Sequence, residues 1–254
     1  VCSSILRCLS TALLVVLVGC GPDVEPPPLP PLDPAPAWEQ RLREVVSPEG
    51  EVDYAALRAD SAALRDYVGW VARNGPETVG FRLTDDNMRL AWHLNALNAL
   101  ALWSVVEGRP FATEKQVFPR VRVLLDSEPV RLDRYVTHRV LATYEEPLVA
   151  AALACGARSC PPAPTSLYRK PTIERQLREQ LQRWVASGRL VREEGGKLYF
   201  SPALRPWMPA FARWGHAETP CDVVRGVAPG RIVDAVQRCD WAWDAWDGGV
   251  DGRG

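Results

Sequence analysis

The segment best equipped for chemistry is Cys155-Gly156-Ala157-Arg158-Ser159-Cys160-Pro161-Pro162. A cysteine beside a guanidinium, here Arg158, has its thiolate favoured. With a histidine brought in from elsewhere, it becomes a nucleophile. The chain offers His93, His138 and His216, and His138 or His93 is the candidate base. Asn95 or Asn98 would orient that base or donate to a developing oxyanion. Asn95, Asn98, Cys155, Ser159 and Cys160 therefore form the candidate site and polar core. The competing use of Cys155 and Cys160 is a disulfide that pins a loop. In an exported chain this reading comes first. There is no Cys-x-x-Cys pair, no His-Glu-x-x-His helix, no glycine-rich phosphate loop and no Gly-x-Ser-x-Gly elbow. The expectation is no metal and no cofactor.

Residues 84–107 would position the asparagines. Thr84 or Asp85 serves as a helix cap, the acids at 85 and 86 suit a positive helix end, and Gly108 and Pro110 provide the stop. Leu90, Trp92, Leu94, Leu97, Leu100, Leu102, Trp103 and Val105 cover nearly every side, so the helix is buried. Arg89, His93, Asn95 and Asn98 in its first half argue against a membrane span. Asn95 and Asn98, three residues apart, share one face, and a buried carboxamide needs polar partners.

The remaining elements follow from periodicity and punctuation. Residues 52–73 read as one amphipathic helix ended by Asn74-Gly75-Pro76, and Thr113 to Gln116 as a capping box interrupted by Pro119. Val121 to Leu125 reads as a short strand, and Asp133 as the cap of a helix over 134–141. Residues 145–156 read as another helix. Thr172 opens an amphipathic helix with Ile173, Leu177, Leu181, Trp184 and Val185 on one face and Gly188 at its stop. A hairpin turns at Gly195-Gly196, and short helices follow near Pro206 and from Thr219. This is an α+β fold, a mainly helical single domain around a buried central helix with a small β hairpin or sheet.

The front of the chain says where the domain lives. Residues 1–19 combine Arg7 with an apolar run from Leu9 to Val18 that is too short to span a bilayer. The run closes on Leu17-Val18-Gly19-Cys20. It resembles the lipobox of bacterial lipoproteins, which implies cleavage before Cys20 and acylation there. Residues 20–37 hold the lipidated Cys20 and a stalk rich in proline. At about 3.1 Å per residue, such a stalk would hold the domain on the order of 50 Å from the membrane. Gly21, in place of Asp, favours the outer membrane by the bacterial sorting rule. The globular domain is drawn at 38–247 and a tail at 248–254. Beyond the stalk, about 217 residues are enough for one domain with a sizeable core. The chain carries 30 Lys and Arg against 31 Asp and Glu, without a basic run, so nucleic acid is not an expected partner. Membrane lipid, through acylated Cys20, is expected, as is an envelope protein or glycan. Excluding Cys2, Cys8 and Cys20, the set Cys155, Cys160, Cys221 and Cys239 is even and predicts two disulfides. Four cysteines allow three pairings, of which the local one is simplest. Trp241, Trp243 and Trp246 offer rings for sugars, though packing is the commoner use.

Several of these segments, in order, resemble the bacterial branch of the family catalogued as domain of unknown function 547. The matching residues are Gly50-Glu51-Val52-Asp53-Tyr54, Trp92 with Asn95, Asn98 and Ala99, Ala150 to Pro161, then Ser201, Trp207 and Phe211, and finally Cys239-Asp240-Trp241. The resemblance spans about residues 50–244. Where the family carries a helix Tyr, a motif His and a Glu, this chain has Leu97, Ala150 and about Val136. The resemblance implies no assigned activity. Loss of the His and Glu favours a non-catalytic binding or scaffolding domain. The alternative is a thiol-dependent hydrolase or transferase using Cys155 or Cys160. The Cys155–Pro162 segment is the expected partner of the asparagine face.

Overall fold

The computed structural model describes residues 25–30, 32–80, 82–108, 121–245, 247–249 and 252–253. The leader at 1–19, Cys20, the 113–116 capping box with Pro119, and Trp246 lie outside the described residues.

The chain enters through α1 (Ala35–Val45), passes β1 (Val52–Asp53), and continues through α2 (Tyr54–Ala59) and α3 (Ala62–Val71). The central helix α4 (Asp86–Val106) packs against both α2 and α3. It starts where its chemistry says it should, since the Asp85 carboxylate accepts from the Met88 amide at 2.9 Å and caps an orphan donor. Its face is buried nearly all round, from Leu90 to Val105, including the polar His93 and Asn98. No helix among the described residues is long and apolar enough to cross a membrane.

A hairpin follows, of β2 (Arg122–Leu125) and β3 (Glu128–Arg131), closed by Asp126-Ser127 with both residues at positive φ. This is the backbone that a tight two-residue turn requires. Then α5 (Leu132–Arg134) runs into a π-helical stretch, Tyr135–Leu141, and on into α6 (Ala142–Tyr144). After α7 (Val149–Ala152) and a loop comes α8 (Ile173–Ala186). Its five predicted apolar residues are all buried against the core. The strands β4 (Val191–Glu194) and β5 (Lys197–Phe200) form the expected hairpin at Gly195-Gly196. Next come α9 (Met208–Arg213), α10 (Pro220–Val224) and α11 (Val233–Arg238). The strand β6 (Trp241–Trp243) then pairs in parallel with β5, and β7 (Gly252–Arg253) with β1. The fold is α+β, mainly helical, with small two- and three-stranded sheets.

Three expected elements differ. Residues 52–73 form two helices rather than one, because Asp53 caps α2 through the Ala56 amide at 2.8 Å and Asp60 accepts from the Ala62 amide at 3.3 Å. Short polar side chains that bind local backbone interrupt a helix. Asp133 lies inside the helix rather than at its cap; Arg131 grips its carboxylate with two donors at 2.8 and 2.6 Å, and the helix begins at Leu132, two residues earlier than expected. Beyond it, Thr137 Oγ1 donates to the carbonyls of Asp133 at 2.9 Å and Arg134 at 3.2 Å. A hydroxyl inserted there accompanies the wider π geometry. Of the helix expected over 145–156, only α7 forms, because Leu153 turns extended where an asparagine from α4 takes the backbone on either side.

The ends are tied down. A Cβ on Gly69 would stand 2.3 Å from the Pro28 carbonyl oxygen, so only glycine allows that approach. Arg73 Nη1 donates to the Pro27 carbonyl at 2.8 Å. Residues 27–28 therefore lie on α3 rather than in a free spacer, and the boundary drawn at 37 falls inside α1. At the other end, the amides of Arg158 and Ser159 donate to the carbonyls of Gly249 and Asp247 at 3.0 and 3.2 Å.

Candidate functional site

The two asparagines of α4 act as clamps on backbone. Asn98 Nδ2 donates to the carbonyls of Leu94 and Ala152, both at 2.8 Å, and its Oδ1 accepts from the Ala154 amide at 2.8 Å. Asn95 pairs with one residue in both directions, donating to the Tyr168 carbonyl at 3.0 Å and accepting from the Tyr168 amide at 2.8 Å. The expected partner, Cys155–Pro162, is thus replaced by residues on either side of it. A carboxamide mimics a peptide group, donor and acceptor side by side, so it suits this use.

Between those clamps the cysteines pair locally, Cys155 with Cys160 and Cys221 with Cys239, with Cα atoms 5.7 and 5.9 Å apart. Both members of the first pair are fully buried. Ser159 is buried too. Its hydroxyl accepts from the Asp247 amide at 2.7 Å, and its carbonyl accepts from Ser201 Oγ at 2.6 Å. Gln180 donates to the Pro162 carbonyl. Gly50, at φ +85°, lies so near Pro162 that a Cβ would meet the proline ring at 2.2 Å. Residues far apart in sequence, Gly50, Asn98, Ser159 and Ser201, meet on one knot. In this arrangement the cysteines carry no free thiol. Ala150 and Val136, at the His and Glu positions, are buried among apolar groups.

The candidate bases lie elsewhere. His138 is exposed on the π-helical stretch. His93 is only 7 % exposed and lines a cavity of about 260 Å³ that no cysteine lines. Its Nδ1 meets Tyr135 Oη at 2.9 Å, and Tyr144 lies against its ring at a centroid distance of 5.6 Å. Arg89 and Arg139 line the same cavity. Burial first, then the charges of Arg139 and Arg89, push the His93 pKa down to about 3. Burial raises that of Tyr135 and lifts that of Tyr144 to about 12. The buried Asp126 carboxylate, also at the cavity, accepts from the Glu77 and Thr78 amides at 2.6 and 3.1 Å and from Thr78 Oγ1 at 2.5 Å. It locks the 75–80 turn to the hairpin tip. Sequence reasoning singled out His93 but missed Asp126, Tyr135 and Tyr144. A two-residue Asp-Ser turn after the apolar run 121–125 was the available signal for Asp126. Of the tail tryptophans, Trp241 and Trp243 pack instead of standing free. Trp241 meets Trp243 and Phe200 edge to face, and the Arg205 guanidinium lies 5.0 Å from the Trp243 ring centre.

Fold and site together define a small α+β domain built on a buried helix and pinned by two disulfides, with no cluster of metal-binding side chains among the described residues. Residues 81–185, from just before α4 to within α8, match the model of the family described as "Protein of unknown function, DUF547". No curated protein and no solved structure matches the chain. The Gly50–Tyr54, Ser201 and Cys239–Trp241 motifs lie outside the matched stretch.

Proposed function

We propose that the protein is an exported lipoprotein, acylated at Cys20 and held at the outer membrane facing the periplasm, whose domain binds or scaffolds an envelope partner. The observation that supports a binding role over thiol chemistry is the Cys155–Cys160 pair. It is buried, joined, and enclosed by asparagines already spent on backbone. Two closed pairs also suit an oxidising compartment. The anchoring rests on the leader and on Gly19-Cys20. More than one acyl chain gives firm attachment, because each buried methylene adds about 0.8 kcal/mol.

Intact mass of the unreduced mature protein tests both parts. The expected result is a mass with both disulfides closed and acyl chains on the N-terminal cysteine, with Cys20→Ser released to the soluble fraction. A free thiol at Cys155 or Cys160, together with ester or peptide turnover lost on Cys155→Ser or Cys160→Ser, would establish the thiol-dependent hydrolase or transferase instead.

A further inference from the structure

We propose that the cavity between α4 and the π-helical stretch binds a small monocarboxylate, received by His93 Nε2, Tyr144 and the guanidinium groups of Arg89 and Arg139. This deepens the reading of the domain as a binder and is independent of the anchor.

The imidazole supplies the first argument. His93 is more than nine-tenths buried and lines the cavity, yet only its Nδ1 has a hydrogen-bond partner among the described residues. With the Tyr135 hydroxyl as donor to Nδ1, Tyr135 keeps its one proton hydrogen-bonded at 2.9 Å. The proton of the neutral ring then sits on Nε2, which becomes an unspent donor. The Tyr144 hydroxyl, half-buried at the same wall, is a second polar group without a hydrogen-bond partner among the described residues.

Charge supplies the second argument. Both arginines line the cavity, and their field at His93 is positive enough to disfavour protonation of the ring. Arg89 is held by the Leu83 carbonyl at 3.1 Å and lies 3.7 Å from Asp86, while Arg139 pairs with Glu77 at 3.2 Å. At the imidazole the named charges are the two arginines, whereas Asp126 and Glu77, acids that also line the cavity, act on Tyr135. A planar guanidinium fork matches a carboxylate. Three acids around the rim disfavour a dianion. A volume of about 260 Å³, with Leu125, Pro76 and two tyrosine rings in its walls, suits a compact ligand with an apolar body.

The test is a titration of the full mature protein in detergent, labelled at the histidine rings, with benzoate, benzamide and inorganic phosphate. Three histidines make the ring signals separable. Benzoate is expected to move the His93 signal saturably and to raise the pKa of the ring, because a bound anion offsets the arginine field. Benzamide and phosphate are expected to bind at least roughly tenfold more weakly. Arg139→Gln, at an exposed helical position, is expected to weaken benzoate roughly tenfold with an unchanged unfolding midpoint. The proposal is overturned if benzoate gives no saturable shift at His93, if benzamide or phosphate matches it, or if binding survives in Arg139→Gln and in Arg89→Gln. The thiol and mass measurements above bear on the binder reading alone, so the two claims fail separately.

Discussion

Asn98 carries more structural weight than any other polar side chain of α4. Its carboxamide serves three backbone groups in a dry setting. Removing it leaves the Ala154 amide without that partner and Ala152 with only the long contact from Tyr168 Oη at 3.3 Å. Unsatisfied buried groups are expensive, so Asn98→Ala should destabilise the fold by about 2–3 kcal/mol, and Asn95→Ala, half-buried, by about 1 kcal/mol. Urea unfolding measures both, and a loss below about 0.5 kcal/mol for Asn98→Ala would mean the clamp is dispensable. His93 makes a second prediction. Its folded pKa of about 3 lies below the ordinary 6.5. Between those values the unfolded chain binds the proton and the folded chain does not, so stability falls as pH drops through this window, by up to about 1.4 kcal/mol per pH unit. The groups facing the ring are Tyr135, Tyr144, Arg89, Arg139, Glu77, Asp126 and Glu128. Unfolding midpoints at several pH values in the wild type and in His93→Gln should show that slope shrinking in the variant. An unchanged slope would assign it to the carboxylates. At this scale the sequence tells half the story. Paired asparagines on a buried face announce that they need partners. Whether the partner is backbone or a reacting group depends on chain arriving from more than 50 residues away. Asp126, Tyr135 and Tyr144 gave no periodic signal, because the cavity draws them from a turn and two helical segments.

Elements were most legible where punctuation and periodicity agreed. The caps of α4, the single apolar face of α8 and the glycine turn between β4 and β5 are all local features, and all appear. They failed where a side chain overrode propensity. Asp53 and Asp60 split one helix into two, Thr137 accompanies π geometry, and Asn98 cuts α7 short. Helix α3 carries a prediction of its own. Glycine inside a helix is ordinarily about 1 kcal/mol worse than alanine, yet Gly69 sits mid-helix because the Pro28 carbonyl occupies the space of its Cβ. Gly69→Ala should therefore hold or raise the midpoint of the domain while freeing residues 25–30. Limited proteolysis would register faster cleavage there, and cleavage at the wild-type rate would show that the contact carries no weight.

At the scale of the molecule, the fold is closed by contacts that no local pattern encodes. The parallel pairing of β1 with β7 and the tail carbonyls taken by Arg158 and Ser159 depend on the assembled chain, whereas the local cysteine pairing, the simplest of the three possible, is the one that forms. The N-terminal contact has a mechanical consequence. Under the proposed anchoring, tension from the membrane reaches residues 25–30 before it reaches α1. It is first resisted by the Arg73–Pro27 hydrogen bond and the seating of Pro28 on Gly69. These are weak beside the buried core, so they part first. Residues 25–33, once free, would reach at most roughly 30 Å, at 3.3–3.6 Å per residue. The docked segment is thus a fuse. It lets the domain travel from its tether under load while the helices and disulfides behind it remain unstressed.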